Sequence, residues 1–359
     1  MQKMELESCV GSGPLESCCV GSGPLQKPKQ PEPQPTRFSQ SMDILKKFAF
    51  VVGGAVLIFA AIRNSLTWHL QKFWGASGDF WNRQWVKIHD FSGGDEYVLG
   101  IWGSNLILFS TFWLLNSFFL FVDVTGIPSF VLKYKVQDDM NMPVEWPKLK
   151  RCLKMVVFNQ IVVNFLVGYI IFHIMMWRGC DYGPELPTVQ WVLLELVIFL
   201  LFEEIGFYYS HRLFHHPRLY KHIHKRHHEW TAPIGITAIY AHPIEYIVAN
   251  IIPAQIGPML MGSHIATIWM WYVMVVSSAV VAHCGYHLPF LPSPEAHDFH
   301  HLKFTNNYGT LGILDRLHGT DNLFRQSKKY QRHILLLGLT PMSQTFPDEP
   351  KKIMKKKED

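Results

Sequence analysis

The chain of 359 residues is 48% hydrophobic by residue type but only 17% charged, whereas ordinary soluble domains carry ~25% charged residues. Its formal net charge of +5 comes largely from short basic blocks beside apolar runs. This pattern indicates membrane topology and argues against nucleic-acid binding. The six cysteines form no CxxC pair, which argues against a disulfide framework or a cysteine zinc site.

The first predicted element is a disordered N-terminal tail, residues 1–41. It contains a near-repeat, LESCVGSGP and then LESCCVGSGP, followed by the Pro- and Gln-rich stretch KPKQPEPQP. Such a segment has too little apolar content to bury a core. No apolar run follows the first methionine, so we do not expect a secretory signal.

Four apolar runs predict transmembrane helices, at residues 48–62, 97–122, 155–177 and 187–202. A helix needs ~20 residues to cross the hydrocarbon core, and the second and third runs are the longest. A further apolar stretch, residues 247–281, has histidine groups on both sides, so we expect a membrane hairpin that returns to the same face. Together these elements predict an all-α polytopic membrane protein with a cytosolic, histidine-rich helical cap that holds a two-metal site.

Basic blocks set the expected orientation. They precede the first run, separate the second from the third and follow the fourth, and the positive-inside rule assigns that side to the cytosol. Both termini are then cytosolic. The expected division is a tail (1–41), transmembrane helices (42–202), a histidine-box catalytic region (203–325) that includes the hairpin (247–281), and a cytosolic C-terminal tail (326–359).

Four histidine groups follow the fourth run: HRLFHH, HKRHH, HCGYH and HDFHH. Residues three and four apart on a helix share a face, so HKRHH and HDFHH can each aim three imidazoles at one point. A single zinc ion takes about four ligands, and the larger number of candidates here predicts two metals. Nitrogen-rich ligation suits iron, zinc, copper or nickel, and we interpret a membrane site of this kind as an oxygen-activating di-iron centre. The candidate ligands are His211, His215, His216, His224, His227, His228, His283, His287, His297, His300 and His301.

Some assignments stay open at this point. Ideal helix geometry pairs His211 with His215, but Pro217 biases His216 out of the helical region and so lets it turn back to the metal. No catalytic residue is expected beyond the metal ligands. Carboxylates should orient the imidazoles by accepting their distal N–H groups. The candidates for this orienting role are Glu203, Glu204, Glu245, Asp298 and Asp315, with His242 as either an orienting group or a ligand.

These motifs resemble the fatty acid hydroxylase and sterol desaturase superfamily over residues 150–325. The segments HKRHHEWTAPIGITAIYAHPIEY and AHDFHHLKFTNNYGTLGILDRLHGTD are most similar to its sterol C4-methyl oxidase branch. The resemblance implies two non-haem irons, O2 as oxidant, and electrons from NAD(P)H through cytochrome b5 and its reductase. It also implies ten of the eleven candidate ligands, all but His215. In one departure, His287 stands where animal C4-methyl oxidases commonly carry Asp and fatty acid hydroxylases carry His.

The resulting hypothesis is a lipid mono-oxygenase that acts on sterol C4-methyl groups in sterol biosynthesis. The alternatives are a fatty-acyl (sphingolipid) hydroxylase and a non-catalytic regulator of lipid metabolism. A metal transporter is disfavoured because every histidine group lies beyond a span end. No Rossmann, flavin or HPGG haem motif is present, so we expect a separate reductant, with other sterol-pathway enzymes as further candidate partners. Lys356 and Lys357 form a KKxx pattern that predicts the endoplasmic reticulum membrane.

Overall fold

A computed structural model of the protein describes residues 37–348. Residues 1–36 of the predicted disordered tail (1–41) and the signal at Lys356 and Lys357 lie outside the described residues, and residues 37–41 of that tail are helical. Within 37–348 the chain forms helices and loops, and the β-structure found there is one isolated bridge between Lys135 and Tyr286. The predicted all-α class is confirmed.

The chain divides into two units, Met1–Gln71 and Lys72–Asp359. Helix α1 (Arg37–Phe91) begins in the first unit and ends in the second. The described part of the first unit is the N-terminal part of α1, which carries the predicted run 48–62. In the second unit, Trp85 of α1 is buried in an apolar core.

The second unit contains the remaining long helices. They are α2 (Ser104–Thr125), α3 (Trp146–Phe158), α4 (Asn164–Arg178), α5 (Val189–Phe214), α6 (Ile252–Met261), α7 (Ile265–His283) and α8 (Glu295–Lys303). Three π-helical turns precede α2, α4 and α6, at Val98–Gly103, Asn159–Val163 and Tyr246–Ile251. Shorter helical turns lie at Ser129–Leu132, Pro217–Tyr220, His224–Glu229, Gly235–Ile239, Pro243–Glu245, Ile313–His318, Asn322–Arg325, Lys328–Arg332 and Met342–Thr345.

Among the described residues, four helical stretches are long and apolar enough to cross a membrane: Val98–Thr125, Trp146–Arg178, Pro243–Met261 and Ile265–His283. The first two correspond to the predicted runs 97–122 and 155–177, and the last two are the arms of the predicted hairpin. The predicted run 48–62 lies in α1, where several side chains fall outside the described residues, and its crossing of the membrane stays a prediction. The predicted run 187–202 lies in α5, which does not meet this criterion. In α5 the reason is charge, because its sequence VQWVLLELVIFLLFEEIGFYYSHRLF carries three glutamates.

The hairpin turns at Gly262, which ends α6 in the left-handed conformation at φ 62°, a backbone state that glycine adopts without strain. His264 then caps α7 by accepting a hydrogen bond from the N–H of Ala266 at 3.1 Å. Pro243 and His283 therefore lie at the same end of the hairpin. Each arm has 19 residues. At ~1.5 Å per residue the length of each arm is close to the hydrocarbon thickness of a bilayer.

Helix α5 packs closely on α6 because glycines line the contact. A Cβ at Gly257 would lie 2.6 Å from the Cα of Phe199, and one at Gly206 would lie 3.0 Å from Pro253. Small residues of this kind allow helix backbones to approach within a membrane. This packing fixes the C-terminal end of α5 beside the hairpin, where the histidine groups begin.

Candidate metal centre

Nine histidines converge in two neighbouring clusters. Within each cluster the ligand nitrogens all lie within 4.8 Å of one another. The rings of His228 and His301, one from each cluster, have centroids 4.7 Å apart. The five-histidine cluster contains His211, His215, His224, His228 and His300. The four-histidine cluster contains His227, His283, His297 and His301.

Each predicted triplet is split between the clusters. In the 3₁₀ turn His224–Glu229, His224 and His228 join the five-histidine cluster while His227 joins the other. In α8, His297 and His301 lie one helical turn apart in the four-histidine cluster, and His300 joins the five. The expectation that three imidazoles of one motif meet at a single point therefore differs from the structure, in which each triplet connects both clusters.

Backbone carbonyls fix the orientation of five of these imidazoles. In each, Nδ1 lies within hydrogen-bond distance of a carbonyl oxygen, which can only accept, so Nδ1 carries the proton and Nε2 keeps its lone pair in the neutral ring. His224 is oriented in a comparable way, because its Nδ1 donates to the Glu245 carboxylate at 2.7 Å. The carbonyl pairs are His211 with Tyr308 (2.8 Å), His227 with Tyr240 (3.2 Å), His283 with Ala279 (2.8 Å), His300 with Asn306 (2.6 Å) and His301 with Trp230 (3.0 Å).

The freed Nε2 atoms face one another at short range. The distance between Nε2 atoms is 2.8 Å for His224 and His215, and 2.8 Å for His297 and His283. Nitrogens bound at ~2.0–2.1 Å to one metal are separated by about this amount. Several lone pairs at such distances repel one another unless a cation lies between them.

Protons do not supply that cation at neutral pH. Burial lowers the pKa of His211 to about 3 and that of His227 to about 4, and it lowers the pKa of His300 well below the ordinary value. Neighbouring histidines lower the pKa of His211 and His300 further. Buried, neutral imidazoles with converging lone pairs are the donor set that a transition metal requires. The residues present therefore fit metal ions in both clusters.

Two predicted ligands and His242 lie elsewhere. His216 has an extended backbone before Pro217, is exposed, and accepts a hydrogen bond from the N–H of Arg218, so Pro217 turns it away from the metals. His287 is buried with Nε2 at 3.0 Å from the carbonyl of Ile334, and neither cluster includes it. His242 caps the turn Pro243–Glu245 and contacts no clustered histidine.

One of the predicted carboxylates contacts a clustered imidazole directly, and the others bind neighbouring groups. Glu245 alone among them accepts from a clustered imidazole. Glu204 accepts from the N–H groups of Thr310, Leu311 and Leu314, and Asp315 accepts from that of Tyr308. These bonds hold the loop whose Tyr308 carbonyl orients His211.

The two remaining carboxylates also contact other groups. Glu203 accepts from the Thr310 hydroxyl at 2.9 Å. Asp298 accepts from Lys329 at 2.6 Å and from Gln137 at 2.8 Å, on the side of α8 away from the metals. The orienting carbonyls of Tyr240, Ala279, Asn306, Trp230 and Tyr308 were missed, because backbone acceptors leave no side-chain signal in a sequence.

A partly open cavity of about 480 Å³ meets the four-histidine cluster. We call it the metal cavity. Its walls come mainly from α2, α4, α5, α6 and α7, and His283 and His297 line its end. No described member of the five-histidine cluster lines it. Its volume lies within the ~300–1,000 Å³ range of small-molecule sites, and its largely apolar walls suit a lipid.

Comparison with known proteins finds one matching family profile and several similar proteins. The fatty acid hydroxylase family profile matches residues 196–320. The human fatty acid hydroxylase domain-containing protein 2 is 50% identical over 309 residues, 86% of this chain and 93% of that protein. Methylsterol monooxygenase 2-2 of Arabidopsis thaliana is 34% identical over 65% of this chain and 90% of its own length.

A fungal protein is also similar to this chain. Fatty acid hydroxylase ahd1 of Mycosarcoma maydis is 37% identical over 68% of this chain and 64% of its own length. No solved structure gives a significant match. The similarity to full-length relatives and the profile match over the histidine region agree with the geometry of the site, and the chain belongs to the fatty acid hydroxylase family.

Proposed function

We propose that this protein is a membrane-bound, non-haem di-iron mono-oxygenase that oxidises C–H bonds of a lipid, and that its substrates are sterols carrying C4-methyl groups. The observation that carries the proposal is the junction between the metal cavity and the four-histidine cluster. His283 and His297 line that cavity, so part of an apolar molecule bound there would lie beside metal-binding nitrogens.

The residues of the chain bind the metals, orient the ligands and exclude water from the reacting carbon. The nine clustered imidazoles would hold the metals, and the backbone carbonyls and Glu245 keep the lone pairs of six of them aimed inward. When iron is bound, it supplies reductive activation of O2 for C–H hydroxylation. Buried aromatic and aliphatic side chains of α7, such as Trp271 and Val280, line the cavity and keep the reacting carbon away from bulk water.

Two observations support a sterol as the substrate. The methylsterol monooxygenase relative matches over nearly its whole length, and the cavity volume of about 480 Å³ suits a compact, rigid lipid. The second candidate is fatty-acyl hydroxylation. The fungal relative named a fatty acid hydroxylase favours it, as does His287 at a position that departs from the animal sterol-oxidase pattern.

Mass spectrometry of both lipid pools in knockout cells tests the substrate. We expect 4-methyl and 4,4-dimethyl sterols to accumulate while 2-hydroxylated fatty acids stay unchanged. Unchanged 4-methyl sterols with depleted hydroxy-acyl lipids would replace the sterol proposal with the acyl one. Catalytically inactive variants expressed in the same cells separate an enzyme from a non-catalytic regulator, because a regulator would restore the lipid profile without its metal ligands.

Metal analysis tests the centre itself. We expect about two irons per chain, because one tetrahedral metal takes about four ligands and nine histidines converge. A purified protein with one zinc and no iron would contradict the proposal. The electron donor we propose is NAD(P)H through cytochrome b5 and its reductase, and addition of these components to purified protein should be required for turnover.

The proposed location is the endoplasmic reticulum, with both termini in the cytosol. The basic blocks support this orientation, and the KKxx pattern at Lys356 and Lys357 supports retrieval to that compartment. Replacing both lysines with Ser and observing the distribution by microscopy tests the signal. An unchanged distribution would remove the retrieval role.

A further inference from the structure

A second pocket opens on the outer side of α2 and α4. We call this pocket, of about 350 Å³, the outer groove. Leu106 is 66% exposed and Ile161 is 54% exposed, and both belong to stretches that are apolar enough to cross a membrane. The outer groove therefore faces lipid tails. Its lining residues are Trp102, Asn105, Leu106, Phe109, Gln160, Ile161, Asn164 and Phe165.

The outer groove and the metal cavity share two residues, Asn105 and Asn164. Because each asparagine lines both spaces, one layer of side chains separates the groove from the cavity. Gly168, one turn after Asn164 on α4, lines the cavity side. A Cβ at Gly168 would meet only the Asn105 Nδ2 atom, at 3.7 Å. The wall is thus thin at this point and contains no large side chain.

Both asparagines follow a π-helical turn and are only half satisfied. Asn105 donates from Nδ2 to the carbonyl of Ile101 at 2.9 Å, and Asn164 accepts at Oδ1 from the Tyr246 hydroxyl at 2.9 Å. Asn105 Oδ1 and Asn164 Nδ2 have no hydrogen-bond partner in the described part of the chain. Unmatched polar atoms within apolar helices are costly unless a ligand meets them. A hydroxyl group can donate to an acceptor such as Asn105 Oδ1 and accept from a donor such as Asn164 Nδ2.

Two aromatic rings meet at the outer groove. Trp102, in the π-helical turn before α2, lies edge-to-face on Phe165 of α4 with ring centroids 5.3 Å apart. Such a contact is weak enough to open by a side-chain rotation. Trp102 is 57% exposed, so its ring can swing toward the lipid without displacing buried neighbours.

We propose that a hydroxyl-bearing lipid enters the metal cavity sideways from the bilayer, through the outer groove and between Asn105 and Asn164. This inference rests on the proposed function, because it concerns the route of that substrate. A hydroxyl at the threshold exchanges hydrogen bonds with both asparagines, while the apolar body follows through the groove toward His283.

The test is a reversible block. Asn105→Cys protein in phosphatidylcholine vesicles is modified with a benzyl methanethiosulfonate, and dithiothreitol later removes the group. Leu114→Cys is the matched control, since Leu114 is a lipid-exposed residue of the same helix outside the groove. Wild-type protein receives the same reagent, because Cys152, Cys180 and Cys284 are buried free thiols.

The readout is photolabelling and not turnover. A photoactivatable, clickable sterol is incubated with each protein, and label is mapped to peptides of α7, which lines the metal cavity. Modified Asn105→Cys should lose α7 label at least about tenfold, a change within the usual range for association rates, and dithiothreitol should restore it. Modified Leu114→Cys and wild type should keep full label. Undiminished α7 label in modified Asn105→Cys, or an equal loss in Leu114→Cys, would overturn the passage.

A second variant guards against misfolding. Gly168→Leu places a permanent side chain in the thin wall, and it should also lose α7 label while retaining bound metal. Absence of α7 label in unmodified protein with both a sterol and a fatty-acid probe would likewise refute the passage. Label in α7 without any oxidised lipid after reduction would leave the passage standing and would refute the proposed function instead.

Discussion

The two histidine clusters share the 3₁₀ turn His224–Glu229 and α8 but face different surroundings. The five-histidine cluster lies against the loop around Tyr308, and no described member of it lines the metal cavity. The four-histidine cluster gives His283 and His297 to the cavity end. The difference suggests a division of tasks. If the bound metals took more than four ligands, five imidazoles would leave fewer open positions than the four imidazoles beside the cavity.

The clusters also differ in how they are oriented. In the five-histidine cluster a carboxylate, Glu245, holds His224, and carbonyls hold His211 and His300. In the four-histidine cluster the described orienting partners of His227, His283 and His301 are all carbonyls. A carboxylate raises the basicity of its imidazole more than a carbonyl does, so the five-histidine cluster should hold its metal more tightly.

The largest effect should come from removing one ligand in each cluster. His227→Ala leaves three imidazoles in its cluster and His300→Ala leaves four. We expect turnover to fall more than about 100-fold in both, since even orienting partners of ligands contribute 10–100-fold. Iron content should fall further in His227→Ala. Both proteins should remain membrane-inserted, and near-normal turnover in either would mean that its cluster holds no catalytic metal.

The next comparison separates two adjacent histidines. His215→Ala removes a member of the five-histidine cluster, whereas His216→Ala removes an exposed ring that only caps a turn. We expect a loss of turnover of at least about 100-fold for the first and less than about twofold for the second, as for ordinary surface substitutions. The reverse ranking, measured with metal content, would show that Pro217 does not turn His216 away.

A smaller effect should follow from Glu245→Gln. The substitution keeps the shape but removes the charge that holds His224, so metal affinity and turnover should drop about 10–100-fold. Glu145→Gln is the matched control, because Glu145 is an exposed carboxylate before α3. Equal metal affinity in the two variants would show that this carboxylate does not tune the five-histidine cluster.

The smallest effect concerns the cavity alone. Ser278→Phe adds a ring at the exposed edge of the metal cavity, while Val273→Phe adds one to an exposed position of the same helix outside the lining. We expect kcat/KM for the lipid to fall about tenfold in the first, an effect typical of pocket shape, with metal content unchanged in both. If Ser278→Phe lost metal instead, the cavity and the four-histidine cluster would not be separate parts of the site.

Much of the fold is readable from local sequence. Runs of uncharged apolar residues give Val98–Thr125 and Ile265–His283 directly, because lipid forces backbone bonds inside each helix. The predicted span at 187–202 is less simple, since α5 continues through Glu203 and Glu204 to His211 as one helix. Its acidic residues bind the loop at 310–314, a tertiary contact that spacing along α5 does not reveal.

The site is partly readable. Histidine spacing identifies the nine converging rings but not their division between clusters. The 3₁₀ turn of HKRHH and the α-helix of HDFHH are both divided, with the histidines at i and i+4 in one cluster and the histidine at i+3 in the other. Histidine spacing also predicts His287 as a ligand, because a spacing of four residues on a helix would place it beside His283. Gly285 adopts φ 75° between them, so the helix ends and the ring of His287 lies toward Ile334. The positive φ of Gly285 therefore keeps His287 out of the clusters. The sequence shows only that a glycine can adopt such an angle.

The split of HDFHH between the two histidine clusters has a consequence for how α8 can vary. Each residue added to a helix rotates the residues after it by ~100° and advances them ~1.5 Å. An insertion between His297 and His300 would therefore turn His300 and His301 away from both clusters together. The short loop before Glu295 can absorb a changed length, but the interior of α8 cannot. Tolerated insertions in this part of the chain should thus map to the loop, and a one-residue insertion within the motif should empty both metal positions at once.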